Sequence, residues 1–113
     1  MSEPEPELRV VLCNAPPDQA EAIAKAVLID RLAACVNIVP GVVSLYWWRD
    51  AVCRDAESTL LIKTRADLVR ALTDKIRSVH PYEVPEVIAM PVVPGEGNPA
   101  YRAWVAAETR SGT

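Results

Sequence analysis

The sequence has 113 residues, half of them apolar, and a formal net charge of −3. That length suits a single domain with a real core, since a chain of this size hides roughly two-thirds of its unfolded surface. The acidic balance (pI ≈ 5.1) and singly scattered Lys and Arg argue against a nucleic-acid surface, and no apolar run reaches the roughly 18 residues that span a bilayer.

Residues 1–7, Met-Ser-Glu-Pro-Glu-Pro-Glu, lack the basic start and apolar stretch of a secretory signal. They are expected to form a disordered tail, the domain to run over residues 8–108, and residues 109–113 to trail from it. With no targeting signal, the expected location is cytoplasmic. Leu8 to Cys13 is apolar apart from Arg9 and stops at Asn14-Ala-Pro-Pro17, which predicts a buried strand. From Asp18 to Ala34 the apolar positions Ala20, Ile23, Ala24, Val27, Leu28 and Leu32 recur with a helical period. Cys35 to Val39 returns to strand chemistry, Pro40-Gly41 marks a bulge or bend, and Val42 to Trp48 continues the strand.

Arg49 to Asp55 is polar and reads as a hairpin turn, followed by a strand over Glu57 to Lys63 with Leu60 and Ile62 on one face. Thr64-Arg-Ala-Asp67 matches a capping box with Thr64 as the cap. Leu68, Leu72, Ile76 and Val79 follow as a core-facing stripe, and Pro81 ends that helix near His80. Glu86 to Val93 predicts an edge strand, limited by Pro91 and Pro94. Asn98-Pro99 opens a short amphipathic helix with Tyr101, Trp104 and Val105 on its apolar side, ending at Glu108.

The order is an α+β, ferredoxin-like split βαβ arrangement: β-α-β-β-α-β with a C-terminal helix. Its strands are apolar on both faces for much of their length, and the second strand is longer than one small sheet needs. Both features predict an oligomer in which bare faces or long hairpins pack together; the alternative is that the final helix covers the bare face alone.

Three cysteines, Cys13, Cys35 and Cys53, make an odd count without CxxC spacing, so reduced thiols are expected rather than a disulfide framework. His80 is the single histidine. At a helix C-terminus it can serve simply as a cap or dipole partner. If the fold brings it to Cys13, thiolate and imidazole form a soft pair suited to copper or zinc, with Glu83 or Glu86 adding an oxygen. The same pair could be nucleophile and base, but no orienting third residue or oxyanion-hole motif accompanies it, so no enzyme is expected. Tyr46-Trp47-Trp48 can stack a ligand or fill an interface.

Several segments, in order, resemble the CutA family of divalent-cation tolerance proteins: Val11-Leu-Cys-Asn-Ala-Pro16, Leu32-Ala-Ala-Cys-Val-Asn-Ile-Val-Pro-Gly41, Ser44-Leu-Tyr-Trp-Trp48, Leu61-Ile-Lys-Thr64 and His80-Pro-Tyr-Glu-Val-Pro-Glu86. The resemblance spans about residues 8 to 108 and includes Tyr101-x-x-Trp104. It implies a tight homotrimer similar in plan to the PII signalling proteins, with the long hairpin extending across subunits. It also implies copper or other divalent-metal binding with Cys13 and His80 as ligands, to which the residue reading adds Glu86 or water. In a bacterial member two adjacent histidines precede Pro-Tyr; here the first position is Val79. The alternative the resemblance implies is a PII-like sensor holding a small ligand in an inter-subunit cleft near Trp47, Trp48, Lys63 and Tyr82.

Overall fold

The computed structural model describes residues 5–111; parts of both expected tails, 1–4 and 112–113, lie outside the described residues. The strands are β1 (Leu8–Ala15), β2 (Cys35–Trp48), β3 (Ala51–Arg65) and β4 (Ile88–Pro91). They form one antiparallel sheet in the order β2-β3-β1-β4. The helices are α1 (Ala20–Ile29), α2 (Val69–Val79) and α3 (Pro99–Glu108). This is the ferredoxin-like split βαβ plan the element order predicts.

The core lies between α1, α2 and one sheet face, where Val11, Cys13, Ile23, Val27, Leu60, Ile62, Leu72 and Ile76 are buried together. Alternation along the strands sets this face: Val36, Ile62 and Val11 align in register and turn inward. Cys35 and Lys63, one residue on, turn to the opposite face. There Tyr101 of α3 bonds Cys35, and α3 packs against β3.

Several expectations are corrected in detail. α1 stops at Ile29 rather than Ala34 because Arg31 adopts φ 57°. The Arg31 N–H donates to Leu28 O and the Leu32 N–H to Val27 O, both at 3.0 Å, a Schellman closure without the usual glycine. Thr64 caps nothing. It belongs to β3, and its hydroxyl donates to Leu32 O at 2.6 Å inside the core. A 3-10 turn over Ala66–Leu68 precedes α2 instead, and the Ala66 N–H finds Glu7 O at 2.8 Å. Val79 is exposed, and so are Tyr101 and Trp104; on α3 the buried residues are Arg102 and Val105. The last strand is shorter than expected, confined to Ile88–Pro91. Pro81 does set the extended backbone of His80 after α2, and Asn98 caps α3 by accepting from the Ala100 N–H at 3.0 Å.

The hairpin is tighter than the polar stretch suggested. Only Arg49 and Asp50 form the turn, both with positive φ (49° and 64°), as a type I′ turn requires. Ala51 to Asp55 is strand, and the Val39/Val42 irregularity sits at Pro40-Gly41 as expected. β1 ends opposite Ser58, so beyond that point β2 and β3 continue as a two-stranded ribbon. This arm stretches the molecule to 56 × 25 × 23 Å, with a radius of gyration of 15.1 Å against about 13 Å for a compact domain of this length.

Glu5 pairs with the buried Arg102 at 2.6 Å. Near the other end, the buried Thr109 hydroxyl donates to Val105 O, and the Arg110 N–H donates to Arg31 O at 2.9 Å. No helix among the described residues is long and apolar enough to cross a membrane.

Candidate functional site

Where β1 ends, the loop after α2 comes alongside the hairpin arm, and the space between them is a cleft of about 850 Å³. Arm residues 43–48, Trp47 and Trp48 among them, line one side, the loop residues Pro81, Tyr82, Glu83, Val84 and Glu86 the other, and Asn14 and Glu57 lie between them. The loop is anchored by His80. Its Nε2 donates to Asn14 O at 2.8 Å, and its Nδ1 accepts the Tyr82 N–H at 3.1 Å. A carbonyl only accepts and a backbone N–H only donates, so these two bonds assign the neutral Nε2–H tautomer. The His80 and Tyr82 rings also touch, with centroids 4.6 Å apart and planes tilted by 53°.

Tyr82 in turn donates its hydroxyl to Glu57 Oε2 at 2.8 Å. Glu57 is only 6% exposed. Burial, followed by this bond and the Glu57 charge, pushes the Tyr82 phenol well above its ordinary range. Tyr46 bonds Asp55 across the hairpin, and that bond foremost pushes its phenol up to about 12.

Cys13 is fully buried at the edge of this region. Burial, then the charges of Glu86 and Glu57, push its thiol up to about 12. It is therefore protonated at neutral pH and is no nucleophile there. Its sulfur donates weakly to Asn14 O at 3.7 Å, so Cys13 and His80 share the Asn14 carbonyl without bonding each other. Among the described residues, no three His, Cys, Asp or Glu side chains converge as a metal cage.

The structure thus brings Trp47, Trp48, Tyr82 and Glu86 to one cleft, with His80 behind its loop and Cys13 beneath. Lys63 is elsewhere, on the α3 side of the sheet, where its ammonium bonds Asn37 and lies 3.9 Å from Cys35 Sγ. As ligands for the implied metal, these residues fit on one side only. Glu86 offers open carboxylate oxygens and Cys13 a thiol that would have to ionise, whereas both His80 nitrogens are committed. Sequence reasoning missed Glu57 and Asn14. Glu57 opens the predicted third strand as a lone carboxylate before an apolar run, which is the one signal that marked it.

Residues 9–108 match the family described as CutA1 divalent ion tolerance protein. The mouse Protein CutA is 52% identical over 92 residues, covering 81% of this chain; the chain spans about half (51%) of that relative's length. The solved divalent cation tolerance protein of Thermus thermophilus superposes with a TM-score of 0.86 at 43% identity, over 91% of this chain and 99% of that one. A protein from Nostoc sp. PCC 7120 described as a PII-like CutA, solved in apo form, superposes with a TM-score of 0.85 at 35% identity, over 90% of this chain and 97% of its own. With its fold, its sequence blocks and nearly its whole length accounted for in this way, the chain belongs to the CutA1 divalent ion tolerance family.

Proposed function

We propose that this chain acts in divalent-cation tolerance as a cytoplasmic homotrimer that binds copper or another divalent cation at the acidic side of the cleft, through Glu86 and Cys13. The observation that carries this reading is electrostatic. Glu57 and Glu86 both act on the Cys13 thiol, and among the described residues neither pairs with Lys or Arg. Unneutralised carboxylates beside a thiol suit a divalent cation, and copper and zinc accept both donor types. A cation there would offset the negative charge that favours the neutral thiol, freeing the thiolate as a ligand. His80 joins the ligand set only by giving up the Tyr82 N–H; as placed, it holds the loop.

The trimer rests on the hairpin arm. Val43, Leu45, Trp47 and Val52 are 52%, 69%, 75% and 61% exposed. Register places all four on one face of the ribbon. Covering what remains exposed of each side chain contributes roughly 1–2 kcal/mol, and a second copy of the chain offers the same apolar face. Three free cysteines suit a reducing compartment.

Calorimetric titration of Cu(II) and Zn(II) into wild type, Cys13→Ala and Glu86→Gln tests the metal reading. At least a tenfold loss of affinity is expected in each variant; unchanged affinity in both would remove this site.

The size and aromatic walls of the cleft favour a second reading, a PII-like sensor that takes a small ligand there. A volume of about 850 Å³ falls within the range of small-molecule sites.

A further inference from the structure

If the cleft takes a small ligand, its walls specify the ligand's charge. Glu57, Glu83 and Glu86 line it, and Asp55 lies close enough to act on the Tyr82 phenol. Glu57 is a nearly buried carboxylate that accepts from the Tyr82 phenol. Burying a carboxylate without a cation is costly. Register places Tyr46 and Trp48 on the same face of the ribbon as Asp55 and Glu57, so aromatic faces and carboxylates look into one space.

The chain also supplies its own probe of that space. The Arg49 guanidinium carbon lies 5.6 Å from the Trp48 ring centroid, and the guanidinium is 3.9 Å from Glu83 Oε2. The Arg49 side chain is 78% exposed there, so it rests on the rim without being locked. A cation over an indole face beside a carboxylate is the arrangement aromatic cages use for ammonium ligands. An anionic ligand such as a nucleotide would face three carboxylates; among the described residues no Lys or Arg lines the cleft, and Arg49 reaches it from the rim through Trp48 and Glu83.

We propose that the cleft binds a small organic cation, an ammonium or guanidinium group on an apolar stem, with the charge between Glu57 and Glu86 and the stem against Trp48 and Tyr82. This rests on the small-ligand reading of the cleft. Arg49 is then an internal competitor that the ligand displaces from Trp48.

Calorimetric titration of the full chain in EDTA, with agmatine, pentylamine, pentanol and AMP as probes, tests this. Agmatine and pentylamine should bind, with pentanol and AMP at least tenfold weaker. Glu86→Gln should weaken agmatine about tenfold, the scale of one charged hydrogen bond. Arg49→Asn tolerates the positive φ of the turn and should tighten agmatine about threefold by removing the competitor. AMP binding with agmatine silent would overturn the cationic class and leave a small-ligand cleft standing. No binding by any probe would overturn both. Agmatine binding unchanged in both variants would overturn the location.

Discussion

The two ends of the β2–β3 ladder use similar residue types and meet different surroundings. Near the base, Leu60 and Ile62 are wholly buried against β1 and the helices. Toward the tip, Leu45, Trp47 and Val52 stand mostly in solvent. The difference follows from where neighbours end: β1 runs out opposite Ser58, leaving the distal arm two strands wide. A two-stranded ribbon is at best marginally stable alone, and an apolar one asks for cover. The base therefore holds the fold of the chain, and the arm is the part that reaches outward, forming one side of the cleft on its way.

Substitutions can break or sharpen this contrast, and the largest effect belongs to the base. Leu72 is fully buried, so Leu72→Ala should lower unfolding free energy by about 2–5 kcal/mol in urea titrations.

The next effect concerns Cys13. Its folded pKa of about 12 lies above the ordinary 9.0, so the unfolded chain loses this proton first as pH rises. Stability is then independent of this group below pH 9 and falls between about pH 9 and pH 12, by at most about 4 kcal/mol. The raised Tyr82 phenol adds to the slope in the same direction. Urea titrations across that window should show a shallower decline for Cys13→Ala than for wild type. At neutral pH a thiol reagent should label the half-buried Cys35 and Cys53 well before Cys13.

The smallest effect lies at the tip. Arg49→Gly relieves a left-handed backbone on a side-chain-bearing residue and should raise stability by up to about 1 kcal/mol; a loss of that size would contradict the turn assignment.

The strands and helices were legible where periodicity was strong and chain breakers were explicit. Leu72 and Ile76 marked the core face of α2, Pro81 its end, and Pro40-Gly41 the bulge in β2. What escaped lacked the usual local residue. The α1 stop at Arg31 and the turn at Arg49-Asp50 both use left-handed backbone without glycine. Thr64 carried a capping pattern, yet its hydroxyl was drawn to Leu32 O, 32 residues away.

The site was half legible for the same reason. Cys13, His80, Trp47, Trp48, Tyr82 and Glu86 were singled out from their residue chemistry and the family resemblance, and four of them line the cleft. Lys63 was grouped with them but lies six residues along β3 from Glu57, beside Cys35 and Asn37, and does not line the cleft. The Tyr82–Glu57 bond, across 25 residues, and the commitment of both His80 nitrogens to Asn14 and Tyr82 are tertiary facts that no local pattern encodes.

Light scattering on wild type and Leu45→Asp at about 10 µM tests most directly whether the base makes the fold and the arm makes the assembly. Wild type should show about three times the 12.4 kDa chain mass. Leu45→Asp, at a position 69% exposed in the single chain, should fall to the single-chain mass with unchanged far-ultraviolet circular dichroism. A single-chain mass for wild type, or a three-chain mass that survives Leu45→Asp, would contradict the account.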